Sequence, residues 1–331
     1  MLVFHTPVLS KDSAIPYSYR SRAIIPSNNI EDSRVTDDLT TVNKDDVVVL
    51  GKKHKLEDAI YLANKDIKFI IDVADHKFDL FRHWFQTIPM AHTVTTTCEY
   101  LSGVITELTD FKNVYVIPDP TEREQKPIHI DYGKTIKLFY YGADSNFAKI
   151  DWWTIENSLK KVTDIDLKYM MNKRIEPPKS SKFFKLQHNW YHYEDIKTVK
   201  QRGLDRWHSI ENWSFDRQQE LLDWCDIVIL PVVNDIESKC KGNNRPVDAI
   251  QSGKFVITNP GIPSYEKLGS KIKRTMWIGN LSEGLNFAIN NKHIVRDYIY
   301  RGQDLINKEY LPKMVAQKWK NLYENISGNN F

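Results

Sequence analysis

Two short apolar runs on either side of a basic loop constrain the fold more than any other feature of this sequence. The first run is Asp226–Val233 and the second is Phe255–Thr258. Apolar runs of this length are typical of strands that are buried on both faces of a parallel sheet. Between them, a polar loop leads into a short helix predicted from about Pro246 to Ser252, and Gly253 ends that helix. This order of strand, loop, helix and strand predicts one right-handed crossover unit.

The loop before this helix is the predicted ligand site. In open parallel sheets, ligands lie beyond the carboxyl ends of the strands, which is where this loop must be. Lys241 and Arg245 place two positive charges at the entrance of a helix, and Asn244 lies between them. A helix N-terminus itself attracts anions, so the loop predicts a phosphate site. Asp248 follows Arg245 by about one helical turn, and both side chains are therefore expected to face one cleft.

Strand and helix patterns alternate along most of the chain. One series of strands and helices runs from Val47 to about Ile117, and a second begins at Ile136. Each series predicts a doubly wound α/β domain, and the proline-containing, charged stretch between them predicts a linker. The predicted division is residues 1–120, a linker at 121–134, a second domain at 135–310, and a C-terminal helix at 311–331 that returns to the first domain.

Three further stretches are interpreted from weaker patterns. Ala23–Pro26 and Lys182–Gln187 are predicted as short strands because each contains a brief apolar run. Phe78–Thr87 is predicted as a helix because it separates two strands of the first series.

Composition narrows the class of protein. The chain has 331 residues and a formal net charge of +3, so no global basic field favours nucleic acid. No apolar run approaches the roughly 18 residues of a membrane-spanning helix, and the N-terminus lacks a signal-peptide pattern. We therefore expect a cytoplasmic protein, and peripheral membrane contact stays open. Cys98, Cys225 and Cys240 form no CxxC, so free thiols are expected and a zinc site is not.

The two series together resemble the GT-B glycosyltransferases. Residues 213–260 are similar to the donor-binding segment of the group 1, retaining enzymes. That segment has an amphipathic helix, an acidic-apolar strand ending in proline, an Asn-Lys-x-x-Glu-like helix start and a small-residue turn. The last three features correspond here to Asp226–Pro231, Asn244–Asp248 and Ser252–Ile257. The first half is similar more loosely, at Val94–Leu101 and Val116–Pro120, and residues 90–290 carry nearly all of the resemblance.

The resemblance implies a fold and an activity. The fold is α/β, with two Rossmann-like doubly wound domains facing a cleft and C-terminal helices packing back. The activity is transfer of a sugar, hexosyl or related, from a UDP- or GDP-linked donor to a glycan or other hydroxyl acceptor, with retention. Such enzymes bind the diphosphate with protein cations and helix dipoles, so neither a metal nor a cofactor is expected. A GT-B-like sugar-nucleotide epimerase and a non-catalytic nucleotide-sugar-binding module stay open as alternatives.

The resemblance also implies roles for individual residues. Asp248 would accept hydrogen bonds from the ribose of the donor, and Arg245 and Lys241 would neutralise its diphosphate. Asp75 and His76 follow an apolar strand and would lie on the acceptor side, as a base or an orienting group. The remaining predicted donor-side residues are Asn244, Gly142, Asp144, Ser145 and Trp207.

One family position differs in this chain. The resemblance places an acidic residue where this sequence has Cys240, and the nearest acids along the chain are Asp235 and Glu237.

Overall fold

The computed structural model describes residues 1–7, 17–147, 149–172, 211–270 and 274–328, which form two six-stranded parallel sheets. The strand order is β2-β1-β3-β4-β5-β6 in the first sheet and β12-β11-β10-β7-β8-β9 in the second. The strands of the first sheet are β1 Leu2–His5, β2 Ser33–Thr36, β3 Val47–Leu50, β4 Lys68–Val73, β5 Thr93–Thr96 and β6 Val114–Val116. Those of the second are β7 Ile136–Ala143, β8 Ile165–Asn172, β9 Glu211–Asn212, β10 Ile227–Ile229, β11 Phe255–Thr258 and β12 Trp277–Ile278.

Helices connect the strands and cover both faces of each sheet. Near the N-terminus, one continuous helical segment consists of Tyr17–Tyr19, the π-helical Arg20–Ile24, and Ile25–Asn28. Two 3-10 turns are Leu39–Thr41 and Ile88–Met90. The other described α-helices are Leu56–Asn64, Trp84–Thr87, Glu99–Thr109, Asp144–Phe147, Trp152–Lys160, Phe215–Trp224, Ile236–Lys239, Asn244–Gln251, Pro263–Ser270, Leu281–Asn290, Lys292–Glu309 and Pro312–Ser327.

Each sheet has one point at which successive strands are added on opposite sides. In the first sheet this point lies between β1 and β3, and in the second it lies between β7 and β10. The loops that follow the two strands at such a point diverge, and they leave a crevice at the carboxyl edge of the sheet. The fold therefore offers two crevices, one in each sheet.

The last helix, Pro312–Ser327, packs against the first sheet although it follows the second in the chain. Trp319 is fully buried there, with its ring 5.4 Å from that of Phe4 in an edge-to-face arrangement. Pro312 separates this helix from the one before it, because Leu311 takes the extended conformation that precedes proline. The predicted α/β fold with two doubly wound sheets and returning C-terminal helices is confirmed. The predicted domain boundaries stay predictions.

Several local predictions were wrong, and one concerns residues that the structure does not describe. Ala23–Pro26 is helical rather than a strand, because Ala23 and Ile24 end the π-helical turn and the fixed φ of Pro26 is compatible with the α-helical turn that comes next. Only Trp84–Thr87 of the predicted 78–87 helix is α-helical. The helix of the basic loop begins at Asn244, two residues early, because proline is accepted anywhere in the first turn. Lys182–Gln187 lies outside the described residues.

Candidate functional site

The crevice of the second sheet contains the predicted basic loop. Strand β7 pairs with β10 at this point, with Ile227 opposite Leu138. Gly142 lies near the carboxyl end of β7, and the chain that leaves β10 returns to the same crevice with the helix Asn244–Gln251. The structure thus brings Gly142 and Arg245 together.

Arg245 is held on one side by neutral oxygens. Its Nε donates to the Tyr265 hydroxyl over 3.0 Å, and its Nη1 donates to the backbone oxygen of Tyr141 over 3.2 Å. Within the described residues, no carboxylate pairs with this guanidinium and Nη2 has no hydrogen-bond partner. An arginine stays charged at any physiological pH, so Nη2 is an oriented cationic donor available to an anion.

Gly142 gives the guanidinium its space. A Cβ built at this position would lie 2.9 Å from Nη1 of Arg245 and 2.9 Å from the Tyr140 hydroxyl. Real Cβ atoms essentially never lie so close to other atoms, so a larger residue here must displace Arg245, Tyr140 or both. The glycine predicted to let the backbone approach a phosphate also allows the arginine to approach the strand.

Lys241 adds a second cation to the same crevice. Its Nζ donates to the side-chain oxygen of Asn146, and among the described side chains no carboxylate forms an ion pair with it. Burial and the nearby Arg245 lower the pKa of Lys241 to about 8, although Asp75 and Glu237 oppose that shift. A lysine whose protonated form is disfavoured by a neighbouring cation is stabilised in that form when an anion binds beside it.

A chain of ion pairs joins the carboxyl edges of the two sheets. Lys77, from the loop after β4, pairs with Glu237, and Lys149 pairs with the same carboxylate at 3.0 Å. Lys149 also pairs with Asp235 at 2.8 Å. These side chains are about a quarter exposed, so they line the opening between the sheets rather than a core.

Asp75 and His76, the predicted acceptor-side residues, lie across this opening. Asp75 pairs with Lys52, and although burial raises its pKa, Lys52, Lys241 and Lys77 together hold that pKa below its usual value. Asp75 is therefore an ionised carboxylate that faces the cations of the second sheet. The His76 ring is half-buried and lies 5.9 Å from that of Phe78.

Asp248 faces the segment that links the two sheets. Its Oδ1 accepts hydrogen bonds from the Thr121 hydroxyl at 3.0 Å and from the backbone N–H of Glu122 at 3.3 Å. Burial raises its pKa to about 7, against the opposing effect of Arg123. Oδ2 has no hydrogen-bond donor among the described residues and is not a fully buried atom.

The similarity of this chain to known proteins lies in its fold. No protein-family model matches the sequence, and no curated protein matches it either. Among solved structures, S. aureus TarM in complex with fondaparinux, alpha-GlcNAc-glycerol and UDP is similar, with a TM-score of 0.56 and 13% identity over 85% of this chain and 56% of TarM. E. coli trehalose-6-phosphate synthase bound with UDP-2-fluoro glucose gives a TM-score of 0.60 and 9% identity, over 87% and 75% of the two chains. A glycosyltransferase from Rickettsia africae gives 0.56 and 14%, over 86% and 78%.

This chain has the GT-B fold of glycosyltransferases. It spans just over half the length of TarM. The two carboxyl edges that Lys77 and Glu237 connect are the walls of the GT-B cleft, and both crevices open at these edges.

The resemblance to GT-B enzymes implies an acid at position 240. This chain has a cysteine there, and the structure shows that it is buried. Cys240 is fully buried, and its backbone oxygen accepts a weak hydrogen bond from the Cys98 thiol across the cleft at 3.4 Å. Asp235 and Glu237, the nearest acids, are engaged by Lys149.

The other predicted donor-side residues are distributed as follows. Asn244 is the first residue of its helix and is half-buried. Asp144 and Ser145 begin the helix that follows β7, at the crevice. Trp207 lies outside the described residues. Sequence reasoning gave no role to Lys52, Lys77 or Lys149, since no local spacing connects them with the basic loop.

Neither a metal site nor a membrane span is found in the described parts of the chain. No group of three or more His, Cys, Asp or Glu side chains there is arranged to hold a metal ion. None of the helices described combines the length and apolarity needed to cross a bilayer.

Proposed function

We propose that this chain is a glycosyltransferase that transfers a hexosyl or related sugar from a nucleoside-diphosphate sugar to a hydroxyl acceptor, with retention of configuration. The observation that carries the proposal is the pair Arg245 and Lys241, two cations without a carboxylate partner among the described residues, at the crevice of the second GT-B sheet. A nucleoside diphosphate leaves with additional negative charge. Oriented cations at that place stabilise the transition state more than the ground state.

The helix Asn244–Gln251 supports the same role. Both cations lie at its N-terminus, since Arg245 is its second residue and Lys241 lies in the loop before it, and the helix dipole favours a negative charge there. Asp248 belongs to this helix, and in the proposal its Oδ2 accepts a hydrogen bond from the donor ribose while Thr121 holds Oδ1. Asn244, Gly142, Asp144, Ser145 and Trp207 complete the proposed donor side.

The fold neighbours indicate the donor. The TarM structure contains UDP, and the trehalose-6-phosphate synthase structure contains UDP-2-fluoro glucose. We therefore infer a UDP-linked donor in the first place, with GDP as the second base to test. On the opposite wall, Asp75 and His76 are proposed to orient the attacking hydroxyl. The three buried thiols fit a reducing, cytoplasmic compartment.

Calorimetry with UDP and uridine tests the donor site. Arg245→Ala should weaken UDP binding by about 1.5–3 kcal/mol, the usual contribution of a charge-assisted hydrogen bond, and leave uridine binding nearly unchanged. Arg301→Ala is the matched control, because Arg301 lies on the helix Lys292–Glu309 and pairs with Asp297. Equal losses for UDP and uridine would argue against a phosphate contact, and absent UDP and GDP binding would remove the proposal.

The buried Cys240 favours one alternative, a module that binds nucleotide sugar without turnover, because the acid expected at that position is absent. Release of nucleoside diphosphate decides between the two. A transferase releases UDP from a UDP-sugar faster when an acceptor is added. A binding module leaves the UDP-sugar intact with or without an acceptor.

A further inference from the structure

The crevice of the first sheet contains a small internal cavity. It lies at the carboxyl ends of β1, β3 and β4, where the strand order of the first sheet changes direction. Its lining includes His5, Tyr19, Arg22, Gly51, Lys52 and Asp72. The cavity volume is about 10 Å³, close to the about 10–15 Å³ that a single water-sized group requires. A hydroxyl fits this space, and a sugar ring does not.

Two buried polar atoms of this lining lack a hydrogen-bond partner of normal geometry. Neither Nδ1 of His5 nor the hydroxyl of Tyr19 has such a partner among the described residues, and these residues are only 4% and 3% exposed. Weaker contacts join the His5 ring to the Asp37 backbone and the Tyr19 hydroxyl to the Lys53 backbone. Buried polar atoms in folded proteins are nearly always hydrogen-bonded, so an orphaned pair indicates a missing ligand or water. A ligand hydroxyl donates one hydrogen bond and accepts others, which matches a phenol and an imidazole nitrogen.

The charges of the lining are already neutralised. Arg22 forms a bidentate pair with Asp72, with distances of 2.5 and 3.0 Å, and lies 3.6 Å from Asp119. Lys52 pairs with Asp75. Burial raises the pKa of Tyr19 to about 12 and lowers the pKa of His5, so both groups are uncharged near neutral pH. This lining suits an uncharged ligand group better than a phosphate or a carboxylate.

Charged side chains lie between the cavity and the proposed donor site. Lys52 belongs to the lining and pairs with Asp75, which in turn interacts electrostatically with Lys241 on the opposite wall of the cleft. The cavity therefore lies at the edge of the first sheet that faces the basic loop.

We propose that this cavity is a specificity subsite that receives one hydroxyl group of a neutral sugar or polyol acceptor, held by His5 and Tyr19. The inference rests on the proposed function, because it names the class of acceptor for that transferase. The anchored hydroxyl is not the reacting one. It fixes the acceptor so that another of its hydroxyls reaches the donor.

Ligand-observed NMR on the full chain with saturating UDP tests this subsite. The probes are glycerol, methyl α-glucopyranoside, and the monodeoxy forms of that glucoside, with inorganic phosphate as competitor. We expect a neutral probe to bind, one monodeoxy form to bind roughly 3- to 10-fold more weakly, as for one lost hydrogen bond, and phosphate not to displace it. Equal binding of all monodeoxy forms, displacement by phosphate, or binding of no neutral probe would each overturn the subsite.

A variant pair separates the cavity from the rest of the cleft. Tyr19→Phe removes only the buried hydroxyl, and Tyr300→Phe is its control because Tyr300 is 65% exposed. Tyr19→Phe should weaken the neutral probe by a similar factor while UDP binding stays unchanged, and Tyr300→Phe should change neither. A weakening that is equal in both variants, or no weakening in Tyr19→Phe, would contradict the proposal.

If UDP itself fails to bind the wild-type chain, the donor proposal fails instead. The deoxy-probe comparison uses only the wild-type protein, so misfolding of a variant does not affect it.

Discussion

Tyr141 and Arg245 hold each other by two reciprocal hydrogen bonds. The Tyr141 hydroxyl donates to the backbone oxygen of Arg245 at 2.6 Å, and Nη1 of Arg245 donates to the backbone oxygen of Tyr141 at 3.2 Å. The pair fastens the end of β7 to the start of the helix Asn244–Gln251. It fixes a cation at the crevice without neutralising it, since both acceptors are carbonyl oxygens. A preorganised charge of this kind needs no rearrangement when an anion arrives.

Lys241 should make diphosphate binding depend on pH. Its pKa of about 8 means that the ammonium loses its proton as pH rises through this value, whereas Arg245 stays charged. UDP affinity, measured by calorimetry between pH 7 and 8.5, should therefore decrease with rising pH. Lys241→Arg should remove this decrease because arginine does not titrate in that range. Lys241→Gln should bind UDP more weakly at pH 7 and also lose the pH dependence.

Comparing the variants at equal pH cancels the titration of the nucleotide itself. The same pH dependence in wild type and Lys241→Arg would show that Lys241 does not contact the phosphates.

Asp248→Asn should change how stability depends on pH. The pKa of Asp248 is raised to about 7 in the fold, against about 3.9 in an unfolded chain, so the folded state retains a proton that the unfolded state has lost. This contribution to stability is fully present below about pH 4 and is lost as pH rises to about 7. The asparagine variant keeps the acceptor for Thr121 and lacks the titration.

Urea unfolding at a series of pH values checks this prediction. The free energy of unfolding of Asp248→Asn, relative to that of wild type, should rise by on the order of 2–4 kcal/mol between pH 4 and 8. The exposed Asp131→Asn should leave the pH profile unchanged. Asp119, whose pKa burial raises to about 6, contributes a slope of the same sign that both proteins retain. Parallel profiles for wild type and Asp248→Asn would refute the assignment.

Trp319→Ala should destabilise the protein by about 3–5 kcal/mol, the usual effect of truncating a buried aromatic residue. Trp319 is fully buried between Phe4 and Arg22. The guanidinium carbon of Arg22 lies 5.2 Å from the centre of the Trp319 ring. Trp153→Ala is the matched control, because Trp153 is 62% exposed and should change stability by no more than about 0.5 kcal/mol. Thermal and urea unfolding of both variants provide the measurement. Similar small losses would mean that the last helix does not anchor the first sheet.

The features that sequence predicted well depend on local pattern. Strands β3, β10 and β11 are apolar runs that are buried on both faces, as such runs require, and β4 and β7 are mainly apolar and mainly buried, with Lys68, Asp72 and Lys137 as their charged residues. The position of Arg245 at a helix entrance is equally local, since it follows from a strand, a loop and a proline within about 20 residues of sequence.

The features that sequence missed depend on distant contacts. Lys77 and Glu237 are 160 positions apart, and nothing in their spacing indicates an ion pair. Oδ1 of Asp248 accepts a hydrogen bond from Thr121, 127 positions earlier, and no local pattern indicates this contact. The turn of a helix fixes the angle between two side chains, whereas the surrounding structure decides which neighbour each side chain reaches.

Gly142→Ala tests whether the crevice depends on the space that this glycine leaves. A Cβ at this position would lie 2.9 Å from Nη1 of Arg245, so the guanidinium must move away from the Tyr141 oxygen. UDP affinity should fall about 10-fold or more, as for the loss of a charge-assisted hydrogen bond. Uridine binding should be nearly unaffected, because uridine lacks the phosphates that this cation is proposed to contact.

Gly103→Ala is the matched control for this substitution. A Cβ at Gly103 meets nothing within 4 Å, and the residue lies in the helix Glu99–Thr109, where alanine is favoured by about 1 kcal/mol. Gly103→Ala should keep UDP affinity and gain slightly in stability. If Gly142→Ala also keeps its UDP affinity, Arg245 either tolerates the methyl group by moving without consequence or does not bind the diphosphate. Arg245→Ala separates these cases, because it should weaken UDP binding only if the arginine contacts the diphosphate. If Gly142→Ala does weaken UDP binding, the double variant Gly142→Ala/Arg245→Ala should bind UDP no more weakly than Arg245→Ala alone, as expected when the glycine acts through the arginine.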